Sequence, residues 1–251
     1  MTTLNTIKTC ASVTMALCLL TATAAANELP HWDYEGESGP EEWANLHEDY
    51  SACGLGDQQS PIDVVTTEVI EAELPEIAIN WGDAVPLKVV NNGHSIQGIA
   101  PEMGEATING RDDTLKQFHF HAPSEHMIDG ERFPAEVHFV HEAPDGTLAV
   151  IGILLEGGGS NQLVEDMIAV APETVGEAEI EAHNLHDLQP DDLSVYRYLG
   201  SLTTPPCSEN VDWNLLQTPV QISDAALERL TELSHNDARP VQDLARRFVL
   251  K

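Results

Sequence analysis

The chain has 251 residues and carries 42 acidic against 11 basic side chains, a formal net charge of −31. A surface this acidic repels nucleic acid and anionic lipid, which excludes both as partners. Disorder is excluded as well, because Trp, Val, Ile and Leu recur in strand-like runs, and the length suits one domain with a sizeable core.

At the N-terminus, Lys8 precedes an apolar run over residues 10–20 and the small-residue stretch Ala22-Thr23-Ala24-Ala25-Ala26. That order reads as a secretory signal peptide, residues 1–26, ending in an A-x-A cleavage site. The apolar run is too short to span a bilayer, and no later segment is suited to stable membrane insertion. Cys18 follows Leu17, where a lipidation motif wants a small residue, so lipidation is not expected. Removal of residues 1–26 leaves one domain, 27–251, with 10 basic and 42 acidic residues and a net charge of −32. It also leaves Cys53 and Cys207 as the only cysteines, so in the periplasm or outside the cell a disulfide between them is the simplest expectation. A saline habitat, and hence salt tolerance, would account for the acidic shell.

Strand-length apolar runs then alternate with acidic, Pro- and Gly-punctuated segments at 77–81, 87–90, 115–121, 135–141, 148–155 and 211–220. Helical periodicity is confined to short pieces such as 161–170 and 225–233, the latter led by Ser223 as cap and Asp224 as first-turn acid. The balance predicts a sheet-dominated α+β domain. There is no internal repeat, and Gly157-Gly158-Gly159-Ser160 is too brief for an interdomain linker.

The run 115–121 carries the chemistry. In Gln117-Phe118-His119-Phe120-His121 polar and aromatic residues alternate, so the period of two puts Gln117, His119 and His121 on one face of a strand. The run 135–141 places Glu136, His138 and Val140 on one face, and turn residues Pro123, Asp129-Gly130 and Pro134 between the runs would let the strands pair. Three imidazoles without a thiolate leave a tetrahedral zinc one open position for water, the catalytic arrangement. A lone His-x-His is more commonly packed or exposed than ligating. Here Gln117 and Glu136, each two residues from a ligand, are placed to hold the second ring nitrogen. His126 and His141 fall outside the alternation and read as structural or surface groups. His119-x-His121-x-x-x-Glu125 also resembles the cupin metal motif, in which the Glu is a ligand, but the glycine that usually precedes that motif is missing. The zinc-protease motifs H-E-x-x-H and H-x-x-E-H are absent, so peptidase activity is not supported.

Taken together, Gln117-Phe-His-Phe-His-Ala-Pro-Ser-Glu125-His126 and Ala135-Glu136-Val137-His138 resemble the zinc region of the alpha-class carbonic anhydrases. His31-Trp32-Asp33-Tyr34-Glu35-Gly36, Gln59-Ser60-Pro61-Ile62-Asp63, Asn91-Asn92-Gly93-His94-Ser95, Leu148-Ala149-Val150-Ile151-Gly152 and the segment from Tyr196 to Pro206 agree in the same order. The short Ala122-Pro123-Ser124 link and the cysteine pair resemble bacterial, secreted members. The resemblance implies a large, twisted, mainly antiparallel central sheet with short peripheral helices and Zn2+ at the bottom of a conical cavity. It implies reversible hydration of carbon dioxide to bicarbonate and a proton, with esterase activity as a side reaction of zinc hydroxide. It makes His119, His121 and His138 ligands, Gln117 and Glu136 their supports, and Thr203 the acceptor of the nucleophile's proton, itself donating to Glu125. His94 takes the proton-shuttle position. Val140, Val150, Leu202, Thr204, Val211 and Trp213 would line the substrate pocket, although Val211 and Trp213 read equally well as core. Tyr34, Asn92 and Gln97 would order a water chain; Gln97 stands where the family often has Asn. Sulfonamides and anions are expected inhibitors, and the resemblance leaves room for a homodimer. Members that lack the zinc ligands are binding proteins; this sequence has all three.

Overall fold

The computed structural model describes residues 29–251; the expected signal peptide lies outside them. Fourteen strands are formed: β1 (Asp63–Val64), β2 (Ala78–Trp81), β3 (Val85–Asn91), β4 (Ile96–Ile99), β5 (Gly104–Ile108), β6 (Arg111–His121), β7 (Met127–Ile128), β8 (Glu131–Arg132), β9 (Ala135–Glu142), β10 (Leu148–Glu156), β11 (Gly176–His183), β12 (Val195–Ser201), β13 (Glu209–Leu216) and β14 (Val220–Gln221). The α-helices are short: α1 (Trp43–Leu46), α2 (Ala52–Leu55), α3 (Gln162–Val170) and α4 (Asp224–Ser234). Eleven strands make one sheet whose main path is β11-β3-β4-β6-β9-β10-β13-β12. All its pairings are antiparallel except those of β10 with β13 and β14, and β1, β7 and β8 form a separate small sheet. Among the described residues no helix is long and apolar enough to cross a membrane.

β6 and β9 show why the sheet can host a polar site. Phe118 and Phe120 on β6 face the larger core, where Phe118 stacks on Phe139 at 5.0 Å and Phe139 on Trp81 at 3.9 Å. By alternation His119 and His121 on β6 and His138 on β9 face the other way, while His141, in phase with Phe139, stays on the core side beside Trp81. On β10 the alternation is hidden because both faces are buried: Ala149, Ile151, Ile153 and Leu155 enter the larger core, while Val150 and Leu154 enter a second one with Ile62, Tyr198, Val211, Trp213 and Leu215. A third cluster joins Trp43, Tyr50, Cys53 and Cys207 near the N-terminus. The Cys53–Cys207 disulfide expected from composition is formed.

Both helices expected at 161–170 and 225–233 are present with side-chain caps. Asn161 accepts from the Val164 amide at 3.2 Å and Ser223 from the Ala226 amide at 3.2 Å. Leu163, Val164, Met167 and Ile168 of α3 and Ala226, Leu230 and Leu233 of α4 lay one face of each helix on the larger core. One expected strand is divided: 211–220 breaks after Leu216 and resumes at Val220 beside β10, because Pro219 has no amide to continue the ladder. Gly176–His183, which lies outside the strand-length apolar runs, is the edge strand β11, paired with β3 and turning its alternating carboxylates to water.

Candidate metal centre

The pairing of β6 with β9 puts His119 directly opposite His138 and His121 opposite Glu136. A register shift between Leu115 and Gln117 precedes this stretch. Among the described residues, one ring nitrogen from each of His119, His121 and His138 lies within 4.8 Å of the others. Their remaining nitrogens are occupied. His119 Nδ1 donates to Gln117 Oε1 at 2.9 Å, His121 Nδ1 to the Asp237 carbonyl at 2.7 Å, and His138 Nε2 to Glu136 Oε1 at 2.8 Å. Those bonds fix the tautomers, so His119 Nε2, His121 Nε2 and His138 Nδ1 present lone pairs to a common point. His121 Nε2 is buried and has no hydrogen-bond partner, an orphan that a metal ion would satisfy.

Electrostatics suit a cation. Burial, followed by the neighbouring His121 and His138, holds His119 well below the usual imidazole range, and burial lowers His138, so both rings are neutral as ligation requires. Burial also acts to lower His121, but Glu125 and Asp237 more than offset it and move it up. The same two carboxylates favour positive charge from a metal. Burial would raise Glu136, yet His126 and His138, through charge and hydrogen bonds, hold it well below the carboxylate range.

Glu136 is the hub of a buried chain. Its Oε1 also accepts from His126 Nδ1 at 2.7 Å, and its Oε2 from the backbone amides of Glu125 and His126, both at 2.9 Å. His126 Nε2 meets the Tyr198 hydroxyl at 2.7 Å, which in turn meets Ser60 Oγ at 2.9 Å. Room for the carboxylate comes from Gly152, opposite His138 on β10, where a Cβ would approach Glu136 Oε1 to 3.1 Å and Leu215 to 3.0 Å. His126 is therefore structural and fully buried, as is His141, whose Nε2 accepts from Trp81 Nε1 at 3.0 Å.

The imidazoles floor a cleft of about 150 Å³ also lined by Tyr34, Asn92, His94, Gln97, Gln117, Val140, Val150, Leu202, Thr203, Thr204 and Trp213. A larger hollow of about 690 Å³ runs between Glu71 and Gln217, but it contains none of the imidazoles, so size does not select the site. Val211 departs from expectation. It shares a face of β13 with Trp213, yet is absent from the cleft lining and packs in the second core. Asn92 lines the cleft, but its Oδ1 is committed to a turn, accepting from the amides of His94 and Ser95 at 2.8 Å. His94 stacks on Trp32 at 3.8 Å and lies 5.8 Å from His31. The Tyr34 hydroxyl is buried without a partner.

Glu125 is fully buried. Its Oε1 accepts from the Arg239 amide at 2.9 Å, while Oε2 lies 3.5 Å from His121 Nε2 and 3.9 Å from His138 Nδ1 and has no hydrogen-bond partner. The bond expected from Thr203 is thus not formed; the carboxylate leans instead toward the two imidazoles. Asp237 and Arg239 were not indicated by the sequence pattern, and Ser60 and Tyr198, although they lie in segments that carry the resemblance, had no role assigned there. Asp237 and Arg239 lie in an irregular C-terminal segment with no periodicity, where the only signal is an acid and a base beside Pro240.

Fold and site together define a class: a sheet-built protein with a candidate mononuclear metal centre of three imidazoles at the foot of a cleft. Residues 38–251 match the family model described as eukaryotic-type carbonic anhydrase, and the chain belongs to that family, the alpha-class carbonic anhydrases. A carbonic anhydrase of Neisseria gonorrhoeae is 40% identical over 243 residues, covering 96% of this chain and 95% of that protein. The alpha-carbonic anhydrase of Thermovibrio ammonificans, solved with the inhibitor sulfanilamide, superposes with a TM-score of 0.84 at 39% identity over 88% of this chain and 99% of the other. Dioscorin complexed with ascorbate superposes with a TM-score of 0.81 at 32% identity over 88% of this chain and 97% of the other.

Proposed function

We propose that the chain catalyses the reversible hydration of carbon dioxide to bicarbonate and a proton, with His119, His121 and His138 holding zinc. The observation that carries this reading is the convergence of three imidazole nitrogens whose opposite nitrogens are all locked by Gln117, Asp237 and Glu136. Zinc, when bound, acts as a Lewis acid that lowers the pKa of water to about 7, a value known from carbonic anhydrases themselves. The chain supplies the rest. Val140, Val150, Leu202 and Trp213 give an apolar wall against which a small apolar substrate replaces water. Thr203, buried at the cleft, is placed to accept the nucleophile's proton in a hydrogen bond; its own hydroxyl, which meets no Glu125 oxygen in this structure, would have to turn to Oε2, the carboxylate oxygen left without a partner. Tyr34, Asn92 and Gln97 order water between the imidazoles and His94, which takes up the released proton.

A binding protein on the same scaffold is the rival reading, and dioscorin shows the fold bound to ascorbate. The complete ligand set with its supports favours the enzyme. Export to the periplasm or beyond, after loss of residues 1–26, fits the disulfide. Sulfonamides and inorganic anions are expected inhibitors, and hydrolysis of activated esters a side activity.

Metal analysis and stopped-flow hydration on one preparation test the reading. The wild type should contain one zinc per chain and lose activity on chelation. His119→Ala, His121→Ala and His138→Ala should each abolish stoichiometric zinc as well as activity, since two imidazoles and water make a much weaker site. Zinc retained by His138→Ala but lost from His126→Ala would assign the wrong histidine to the site.

A further inference from the structure

We infer that Arg239 is a positioning residue for hydration, a clamp whose guanidinium fixes the Glu125 side of the cleft against the Thr203 side; the inference rests on the function proposed above. Arg239 is 1% exposed, and its guanidinium hydrogen-bonds backbone carbonyls rather than the imidazoles. Its Nη1 donates to the Ser60 carbonyl at 2.7 Å and its Nη2 to the Cys53 carbonyl at 2.9 Å, with the guanidinium 5.6 Å from the centre of the Trp43 ring. Its own amide donates to Glu125 Oε1 at 2.9 Å. Two residues earlier, Asp237 receives His121 Nδ1 on its carbonyl at 2.7 Å and the Ala122 amide on Oδ1 at 3.0 Å. The short segment 237–239 therefore holds one imidazole and the Glu125 carboxylate together.

The two carbonyls gripped by the guanidinium belong to the segment that holds the Thr203 loop. Cys53 is bonded to Cys207, four residues beyond Thr203. Gln59 Nε2 donates to the Cys207 carbonyl at 3.1 Å, and the Ser60 amide donates to Ser201 Oγ at 2.9 Å. One planar, two-armed side chain thus closes a path from Glu125 through Arg239 to the Thr203 loop. Lysine, with a single ammonium, cannot span both carbonyls in that geometry. The consequence is specific. Loss of the clamp misaligns Glu125 Oε2 and Thr203, which act in the step that consumes carbon dioxide, and leaves His94 and its proton transfer untouched.

Arg239→Lys is the test, read as kcat and kcat/KM for carbon dioxide in well-buffered stopped-flow assays, with zinc content measured on the same sample. The expected result is retained zinc, a fall in kcat/KM of about tenfold and a much smaller fall in kcat. In a Glu125→Gln background the same change should cost less than about twofold, because both act on one alignment. A merely structural role lowers the number of active molecules and so lowers both parameters equally; equal falls, loss of zinc, or full additivity with Glu125→Gln overturns the clamp. Should Arg239→Lys fail to fold, Cys53→Ser/Cys207→Ser unties the gripped Cys53 residue from the Thr203 loop, and an unchanged kcat/KM there also overturns it. Wild-type protein that binds zinc but hydrates no carbon dioxide would instead overturn the proposed function.

Discussion

At the scale of single residues, the part-buried His94 has the surroundings that the proposed proton relay requires. Its ring lies 3.8 Å from Trp32 at an interplanar angle of 9°, and burial together with His31 lowers its pKa from the ordinary imidazole value. The stack limits the ring's freedom and the downward shift keeps it neutral at neutral pH, able to accept a proton and return it to buffer. His94→Ala should lower kcat severalfold in dilute, non-transferring buffer while leaving kcat/KM nearly intact, and added imidazole should restore much of the loss. An unchanged kcat in such buffer would rule His94 out as the shuttle. His141 carries a stability prediction instead. Burial pushes it down to about 4, so in acid the unfolded chain, with an ordinary imidazole near 6.5, binds the proton first. Its contribution is therefore complete above about pH 6.5 and is lost as the pH falls toward 4, by about 3 kcal/mol in total. His141→Gln, which can still accept from Trp81, should flatten the acid limb of a pH series of denaturant unfolding; a limb parallel to that of the wild type refutes this. Period-two alternation made His119, His121, Gln117 and Glu136 legible in the sequence. Asp237 and Arg239 were not, because their partners lie 114 to 186 residues away across irregular chain.

Among the elements, β6, β9 and β10 were legible because each combines strand length with apolar content, and the two strands bearing the ligands pair in the register the site requires. β11 was hidden by its own protection: an edge strand must repel further strands, and the glutamates that do so look like loop sequence. β12 ends and β13 begins at the Thr203 loop, and the disulfide pins that loop to α2. The cross-link spans a sequence separation of 154. Closing so long a loop stabilises by on the order of 5 kcal/mol in the chain-entropy model, less whatever strain the native state carries. Reduction, or Cys53→Ser/Cys207→Ser, should therefore lower the unfolding free energy by a few kcal/mol, measured by denaturant titration at fixed pH. Intact mass showing two free thiols in properly exported protein would refute the bridge itself.

For the whole molecule the decisive quantity is charge. After export the chain would carry −32, and the carboxylates concentrate where the structure meets water: on β11, around Glu35, Glu37, Glu41 and Glu42, and along the hollow bordered by Glu71, Glu76, Asp191 and Asp192. Several of the basic residues are already committed. Arg111, Lys88, Lys116, Arg229 and Lys251 pair with carboxylates, while Arg197 and Arg239 are buried. Most of the acidic surface thus lacks a local counter-charge, and compaction brings like charges within a Debye length of about 10 Å at 0.1 M salt. Screening relieves that repulsion more in the compact state than in the expanded one. The thermal midpoint should accordingly rise by several degrees between low salt and molar sodium chloride, and binding to nucleic acid should be undetectable throughout. Exposed ion pairs weaken under the same screening, but each contributes at most about 1 kcal/mol, so the net sign is set by the uncompensated carboxylates. Midpoints that stay flat or fall over that range would show that the acidic shell does not oppose folding.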